Sequence, residues 1–347
     1  MKIHYLIIIA LFFVACKADE IEICTDEVAL HSLADFPIGV AVSPSELQYN
    51  AAYQEIVTTQ FNSITPGNAF KPDALQPSEG VFDFEVADSL VAFAMRNNQR
   101  IHGHTLLWHN QLPNWMNRFS GDRTAWIKMM KTHIQTVVRH FEGRVKSWDV
   151  VNEAFEDNGD FRENIWLEHI GKDYLELAFE FAQKADSTVL LFYNDYNIAL
   201  KNRKCRAILE HFEGLKSKGI QVDGIGLQLH IFNRIPTNNE IENAVNAIVE
   251  AEYLIHFSEI DISMNWTGGS MNLTTNRLER QGRKMKVLTN IFQTIPKKQQ
   301  FGMTVWGVSD LDSWIPSFFE REDYPLLYDT NYEPKLMYCG FLEGLID

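Results

Sequence analysis

The chain has 347 residues, of which 46% are hydrophobic and 22% are charged. This composition is typical of a globular protein and excludes a disordered or fibrous chain. The formal net charge is −15, with 31 Lys and Arg against 46 Asp and Glu. Nucleic acid is therefore a poor candidate partner, and the charge suits a protein that acts on a neutral substrate.

The N-terminal residues have the pattern of an export signal. Lys2 precedes an apolar run, Tyr5–Ala15, that is too short to span a bilayer and fits the core of a signal peptide. The sequence FVAC then ends at Cys16 and resembles the cleavage box of bacterial lipoproteins, whose cysteine is lipidated. We predict a signal peptide over residues 1–15, a tether over 16–35, and an exported outer-membrane lipoprotein. Charged residues after Cys16 resemble the tethers of lipoproteins at the cell surface, but the sequence does not decide the membrane face. An ordinary secretory signal is the alternative.

Three further cysteines, Cys24, Cys205 and Cys339, leave an odd number after lipidation, which excludes complete pairing within the chain. Cys24 and Cys339 would meet if the fold closes on itself, but we expect buried or free thiols. The sequence has no CxxC motif or Cys/His cluster, so no metal site is expected.

Residues 36–347 alternate between short apolar runs and longer segments with helical spacing. In residues 126–141, for example, apolar side chains recur three or four positions apart on one face. Eight such units predict a single (β/α)8 TIM barrel rather than an open doubly wound sheet, because no glycine-rich phosphate loop follows any run. The eight predicted strands are Ile38–Val42, Phe61–Thr65, Arg100–Trp108, Ser147–Glu153, Val189–Tyr193, Gly224–His230, Leu254–Ile262 and Phe301–Gly307.

Almost every predicted strand ends on polar and aromatic residues, at the end where barrels carry function. Glu153 ends the fourth strand and Glu259 the seventh. Two carboxylates across a cleft suit glycoside hydrolysis, with one as acid/base and the other as nucleophile. Each residue alone has a structural explanation, but together they favour a sugar site. Planar faces and polar groups for a sugar would come from Trp108, Trp306, Trp314, Asn68, Gln111, Asn152 and His230.

The chain resembles the family 10 glycoside hydrolases, the retaining endo-β-1,4-xylanases, from about Phe36 to the C-terminus. The resemblance implies double-displacement hydrolysis of β-1,4-xylosidic bonds in xylan or xylo-oligosaccharides, with no cofactor and no metal. We expect a monomer that meets a membrane only through its lipid anchor. The matching segments are GHTLLWHNQLPNW, WDVVNEAFEDNG, NDYN, GIGLQLH, SEIDI, TVWGVSDLDSWI and PLLYDTNYEPK.

The resemblance implies a role for each matching residue in the cleft. Glu153 is similar to the acid/base and must carry a proton, whereas Glu259 is similar to the nucleophile and must be ionised. Asn152 would hydrogen-bond the sugar 2-hydroxyl, and His230 would contact the nucleophile while Asp261 orients it. The remaining matches are substrate contacts, namely Asn68, Lys71, His104, Trp108 and Gln111 on the non-reducing side, Gln228 near the histidine, and Trp306 and Trp314 as aromatic walls.

The segment after the second strand departs from the family pattern. Gly67 stands where the family commonly has Glu, and Pro72 where it has Trp. We expect Gly67 to relax one sugar site, which would weaken linear xylan or admit a decorated residue. Ser258 in place of the usual Thr is a mild change. Two alternative functions follow, a related glycosidase with shifted glycan specificity and a non-catalytic glycan-binding barrel.

Overall fold

The computed structural model describes residues 24–347. The predicted signal peptide over 1–15 and the predicted lipidation of Cys16 lie outside the described residues. No helix within 24–347 is both long and apolar enough to cross a membrane.

Eight parallel strands close into a barrel, which confirms the predicted (β/α)8 fold. Closure follows because β6 pairs with β8 and β9 pairs with β1. A short additional strand, β7, lies beside β8. The nine strands are β1 (Ile38–Val42), β2 (Ser63–Pro66), β3 (Arg100–Leu107), β4 (Ser147–Asn152), β5 (Leu190–Asp195), β6 (Gly224–Leu227), β7 (His230–Phe232), β8 (Leu254–Ser263) and β9 (Gln300–Val305).

Thirteen α-helices are described in the same range, and they pack apolar faces onto the barrel. The helical segment predicted over 126–141 lies within α6, whose apolar face is buried as its spacing indicates. The helices are α1 (Pro44–Tyr49), α2 (Ala51–Gln60), α3 (Pro72–Leu75), α4 (Glu85–Arg96), α5 (Asn114–Asn117), α6 (Arg123–His140), α7 (Ile165–Ile170), α8 (Tyr174–Ala185), α9 (Asn202–Ser217), α10 (Asn238–Glu250), α11 (Thr275–Thr294), α12 (Ile315–Phe318) and α13 (Leu336–Ile346).

The sixth predicted strand is wrong in one respect, because residues 224–230 do not form one continuous strand. β6 ends at Leu227, and Leu229 has a left-handed backbone with φ of 57°. Leu227 pairs with Phe257, and His230 pairs with Asp261. The chain therefore advances three residues from β6 to β7 while β8 advances four. This irregularity places His230 beside Asp261.

The segment that begins at Cys24 packs against the barrel. Leu30 is fully buried, and its backbone N–H donates to the Gln60 side chain at 3.1 Å. Cys24 and Cys339 form a disulfide with their Cα atoms 5.5 Å apart. The expectation of free thiols is therefore wrong for this pair, because α13 brings the C-terminal region back to the N-terminal segment. Cys205 is free and buried.

We predict that the double substitution Cys24→Ala/Cys339→Ala lowers the free energy of unfolding by about 2–4 kcal/mol. A cross-link over 315 residues removes conformational entropy from the unfolded chain. Denaturant unfolding of the variant and of the control Cys205→Ala measures the difference. Equal free energies of unfolding for the oxidised and reduced wild type would contradict the prediction. So would peptide mapping without reduction in which Cys24 carries a free thiol.

Candidate active site

Glu153 leaves the barrel through an unusual backbone conformation. It follows the last residue of β4 with a φ of 60°, a left-handed value that costs free energy for a residue with a side chain. Its N–H donates to the Asn194 carbonyl at 2.9 Å, and Arg162 donates to the Glu153 carbonyl at 3.0 Å. These contacts stabilise the left-handed conformation of Glu153, so its carboxylate can follow directly after a buried strand.

Two neutral donors contact the Glu153 carboxylate. Trp108 Nε1 donates to Oε2 at 2.9 Å, and Gln228 Nε2 donates to Oε1 at 3.0 Å. His109 Nε2 lies 4.0 Å from Oε2. The Glu153 side chain is 12% exposed, twice the 6% of Glu259, so it keeps more access to solvent.

Glu259 lies inside β8 with its carboxylate enclosed by donors. Asn194 Nδ2 donates to Oε1 at 2.6 Å, and His230 Nε2 lies 3.1 Å from Oε2. Burial alone would raise the pKa of Glu259. The charge of His104, with Nδ1 4.0 Å from Oε1, and the hydrogen bond and charge of His230 outweigh burial and lower that pKa. Glu259 is therefore ionised at neutral pH.

His230 is held between two carboxylates. Its Nδ1 lies 2.6 Å from Asp261 Oδ2, and its Nε2 faces Glu259. Burial opposes its charge, but Asp261 and Glu259 together raise the pKa of His230 to about 10. Trp314 Nε1 donates to the same Asp261 oxygen at 2.9 Å. The imidazolium is thereby fixed in orientation, and Trp314 supports it as well as lining the cleft.

Three side-chain amides connect the two glutamates. Asn152 Oδ1 accepts from Gln228 Nε2 at 3.1 Å and from Asn194 Nδ2 at 3.0 Å. Since Gln228 also donates to Glu153 and Asn194 to Glu259, the chain of hydrogen bonds runs from one carboxylate to the other. Asn194 was not assigned a role from the sequence, although it is the penultimate residue of β5, near the strand end where the other polar site residues lie.

Asp149, a buried carboxylate, is a second site residue that was not predicted from the sequence. Its Oδ2 lies 2.8 Å from His104 Nδ1 and 3.1 Å from His102 Nε2. Burial opposes ionisation, but the two imidazoles hold the pKa of Asp149 far below its usual range. Asp149 sits in the middle of β4 in an apolar run, and its function of fixing His104 is visible only when β3 and β4 are paired.

The remaining predicted residues lie on the β2–β3 side of the cleft and around its aromatic walls. Lys71 Nζ donates to Asn68 at 2.9 Å and to Gln111 at 2.6 Å, and lies 5.0 Å from the centroid of the Trp108 ring. Trp306 lies edge-on to His104, with centroids 5.3 Å apart. The structure thus brings the predicted sugar-site residues into one cleft.

Gly67 lies beside this group of polar residues. A Cβ at Gly67 would meet only the Val42 carbonyl oxygen, at 3.3 Å, so a larger residue needs a small adjustment. Pro72 is buried and begins α3. The site therefore has space and no carboxylate at Gly67.

Comparisons with known proteins agree with this geometry. "Endo-1,4-beta-xylanase A" of Thermoanaerobacterium saccharolyticum is 39% identical over 86% of this chain, and "Exoglucanase XynX" of Acetivibrio thermocellus is 38% identical over 89%. The chain spans only 26% and 28% of the length of these two relatives.

Among solved structures, a variant of Xylanase10C from Cellvibrio japonicus in complex with xylopentaose superposes with a TM-score of 0.89. It is 34% identical, and the match covers 93% of this chain and 70% of that one. The model of the family described as "Glycosyl hydrolase family 10" matches residues 28–343. The chain belongs to glycosyl hydrolase family 10.

Proposed function

We propose that the protein hydrolyses internal β-1,4-xylosidic bonds of xylan with retention of configuration. The observation that carries the proposal is the pair of carboxylates with unlike surroundings, Glu153 with neutral donors and Glu259 with an imidazolium. An acid and a nucleophile need this asymmetry. The xylanase relative and the xylopentaose complex of Xylanase10C support xylan as the substrate.

In the first step the Glu259 carboxylate attacks the anomeric carbon while Glu153 gives its proton to the leaving glycosidic oxygen. The bond to the leaving sugar breaks as the ester bond to Glu259 forms. In the second step Glu153, now a carboxylate, takes a proton from water. The resulting hydroxide equivalent attacks the anomeric carbon, releases Glu259 and retains the configuration.

His230 serves this cycle by holding the nucleophile ionised and in one rotamer. Asp261 and Trp314 fix the imidazolium. The imidazolium therefore needs little reorientation when the charge of Glu259 is consumed. Asn152 is placed to donate from Nδ2 toward the sugar 2-hydroxyl. That nitrogen otherwise has only a 3.4 Å contact with Glu153.

Substrate binding on the non-reducing side is assigned to the group around Lys71. Lys71 and Gln111 present polar atoms beside the Trp108 ring, and His104 closes the site near Trp306. Sugars suit such surfaces because ring faces are apolar and hydroxyls are both donors and acceptors. No step of the proposed mechanism needs a metal or cofactor.

Export fits both the substrate and the disulfide. Xylan is a polymer outside the cell, and disulfides persist in oxidising compartments. We assign the chain to the outer membrane as a monomeric lipoprotein anchored at Cys16, facing the cell surface. A Cys16→Ala variant that remains in the membrane fraction would contradict the anchor.

A shifted glycan specificity is the second candidate, and the Gly67–Pro72 segment favours it together with the exoglucanase relative. A non-catalytic binding barrel is disfavoured, because binding needs aromatic walls but no paired acid and nucleophile. Product profiles on xylan and β-glucan separate these functions.

We expect Glu153→Ala to lower kcat on xylan about 10²–10⁴-fold, because general acid/base catalysis is lost. Glu259→Ala should abolish turnover, because no covalent intermediate forms. Reducing-end release from xylan, arabinoxylan, glucuronoxylan and β-glucan measures both, with the exposed Glu163→Ala as the matched control. Wild-type turnover in either cleft variant would refute the assignments, and proton NMR that shows an inverted first product would refute retention.

We expect His230→Gln to move the acid limb of kcat/KM to higher pH. The pKa of Glu259 is lowered in part by His230, so loss of this cation raises that pKa and Glu259 becomes protonated at a higher pH. The pH profile of kcat/KM on a linear xylo-oligosaccharide provides the measurement. An acid limb that stays in place would show that His230 does not control the nucleophile.

We expect Gly67→Glu to raise kcat/KM on linear xylo-oligosaccharides roughly 10-fold or more, because a charged hydrogen bond to a sugar hydroxyl contributes about 1.5–3 kcal/mol. The same variant should lose activity on branched substrates if the space at Gly67 admits a substituent. Gly67→Gln, of equal size but neutral, separates charge from bulk. Unchanged kinetics on both substrate types would show that Gly67 does not control specificity.

A further inference from the structure

An open cavity of about 460 Å³ lies where β7 and β8 end, beside the first turn of α11. It is separate from the two glutamates and from the group around Lys71. Part of its wall is apolar, and Trp266 in that wall is 63% exposed. The lining residues that matter below are Phe232, Ile235, Trp266, Arg234, Arg277 and Arg280.

The three arginines of this cavity have no carboxylate partner in the described residues. Arg277 donates to the Met264 carbonyl, and Arg280 donates to the Asn276 side chain and backbone. Neither they nor Arg234 form a salt bridge within residues 24–347, and no Asp or Glu lines the cavity. Asp323, which accepts from the lining residue Ser263, is already paired with Arg321 at 3.2 Å.

This concentration of positive charge is unusual for the chain, whose formal net charge is −15. Three guanidinium groups around one cavity repel one another unless an anion balances them. α11 begins beside the same cavity, and the N-terminal end of a helix favours negative charge. The cavity is thus suited to an anion, and Trp266 offers a flat face beside it.

The cavity lies close to the catalytic site, although the two glutamates do not line it. His230 and Phe232 are two residues apart on β7, which corresponds to about 7 Å along an extended strand. The Arg321 guanidinium lies 5.3 Å from the Phe232 ring and 4.6 Å from the Phe319 ring. Phe319 in turn packs against Trp314, with centroids 5.6 Å apart.

The cavity also lies across the barrel from the group around Lys71. Two strands, β9 and β1, lie between β8 and β2 in one direction around the barrel, and three, β6, β5 and β4, lie between β8 and β3 in the other. A glycan chain that occupies the Lys71 side and passes the two glutamates therefore continues toward this cavity, on the reducing side of the cleaved bond.

We propose that the cavity binds the carboxylate of a uronic acid substituent on the xylan chain, on the reducing side of the cleaved bond. This inference rests on the proposed function. Guanidinium groups bind carboxylates through paired N–H donors, and the Trp266 ring packs against the uronate ring. Neutral substituents fit the same space but leave the arginines without a partner.

The test compares two oligosaccharides that differ only in charge, a xylo-oligosaccharide with one uronic acid branch and its carboxyl-reduced counterpart. The wild type should cleave the acidic substrate with a kcat/KM about 10-fold or more above that of the reduced one. Arg234→Gln/Arg280→Gln should remove this preference and leave the rate on linear xylo-oligosaccharide unchanged. Arg283→Gln, on the same helix but outside the cavity and bonded to Glu279, should behave as wild type.

Equal rates of the wild type on the two branched substrates, or a preference that survives in the double variant, would overturn the proposal. Calorimetric titration of Glu259→Gln with the same two oligosaccharides gives a readout that does not depend on turnover. Tighter binding of the acidic oligosaccharide, lost with the two arginines, would support the cavity even if wild-type turnover of xylan failed. Turnover of linear xylan without any charge discrimination would leave the proposed function intact and refute the cavity alone.

Discussion

The imidazolium of His230, held between Asp261 and Glu259, is the interaction on which the catalytic site depends. A buried carboxylate is costly unless it is paired, and the two acids of β8 are two residues apart on the same strand. One cation between them makes both charges tolerable and fixes the position of Glu259. The irregular pairing at Leu229 makes this possible, because it advances β7 along β8 until His230 faces Asp261.

The barrel converts this local arrangement into a catalytic pair. Glu153 follows β4 and Glu259 lies on β8, with β5 and β6 between these two strands, and each carboxylate accepts hydrogen bonds from residues of other strands and their loops. Asn194 of β5 is an example. Its Nδ2 donates to Asn152 and Glu259, and its backbone carbonyl accepts from the Glu153 N–H. Side chains held by several rigid strands keep their positions better than side chains on loops.

Much of this was predictable from the sequence, because alternation of apolar runs and helical faces defines the barrel, and a change to polar residues marks one end of its strands. That signal identified Glu153, Glu259 and His230. It could not identify Asp149, which lies within a buried run, or the disulfide between Cys24 and Cys339. Both depend on contacts between distant segments, which local patterns do not encode.

The position of the two bonded cysteines also constrains how the chain is made. Cys339 follows Cys24 by 315 residues, so Cys24 is an unpaired thiol until nearly all of the barrel sequence between them has emerged. During that time Cys205 is the other thiol available to it in the described chain. Cys205 is buried in the folded barrel, where its thiol is shielded from exchange with Cys24, so burial at this position protects the correct pairing as well as contributing to the core.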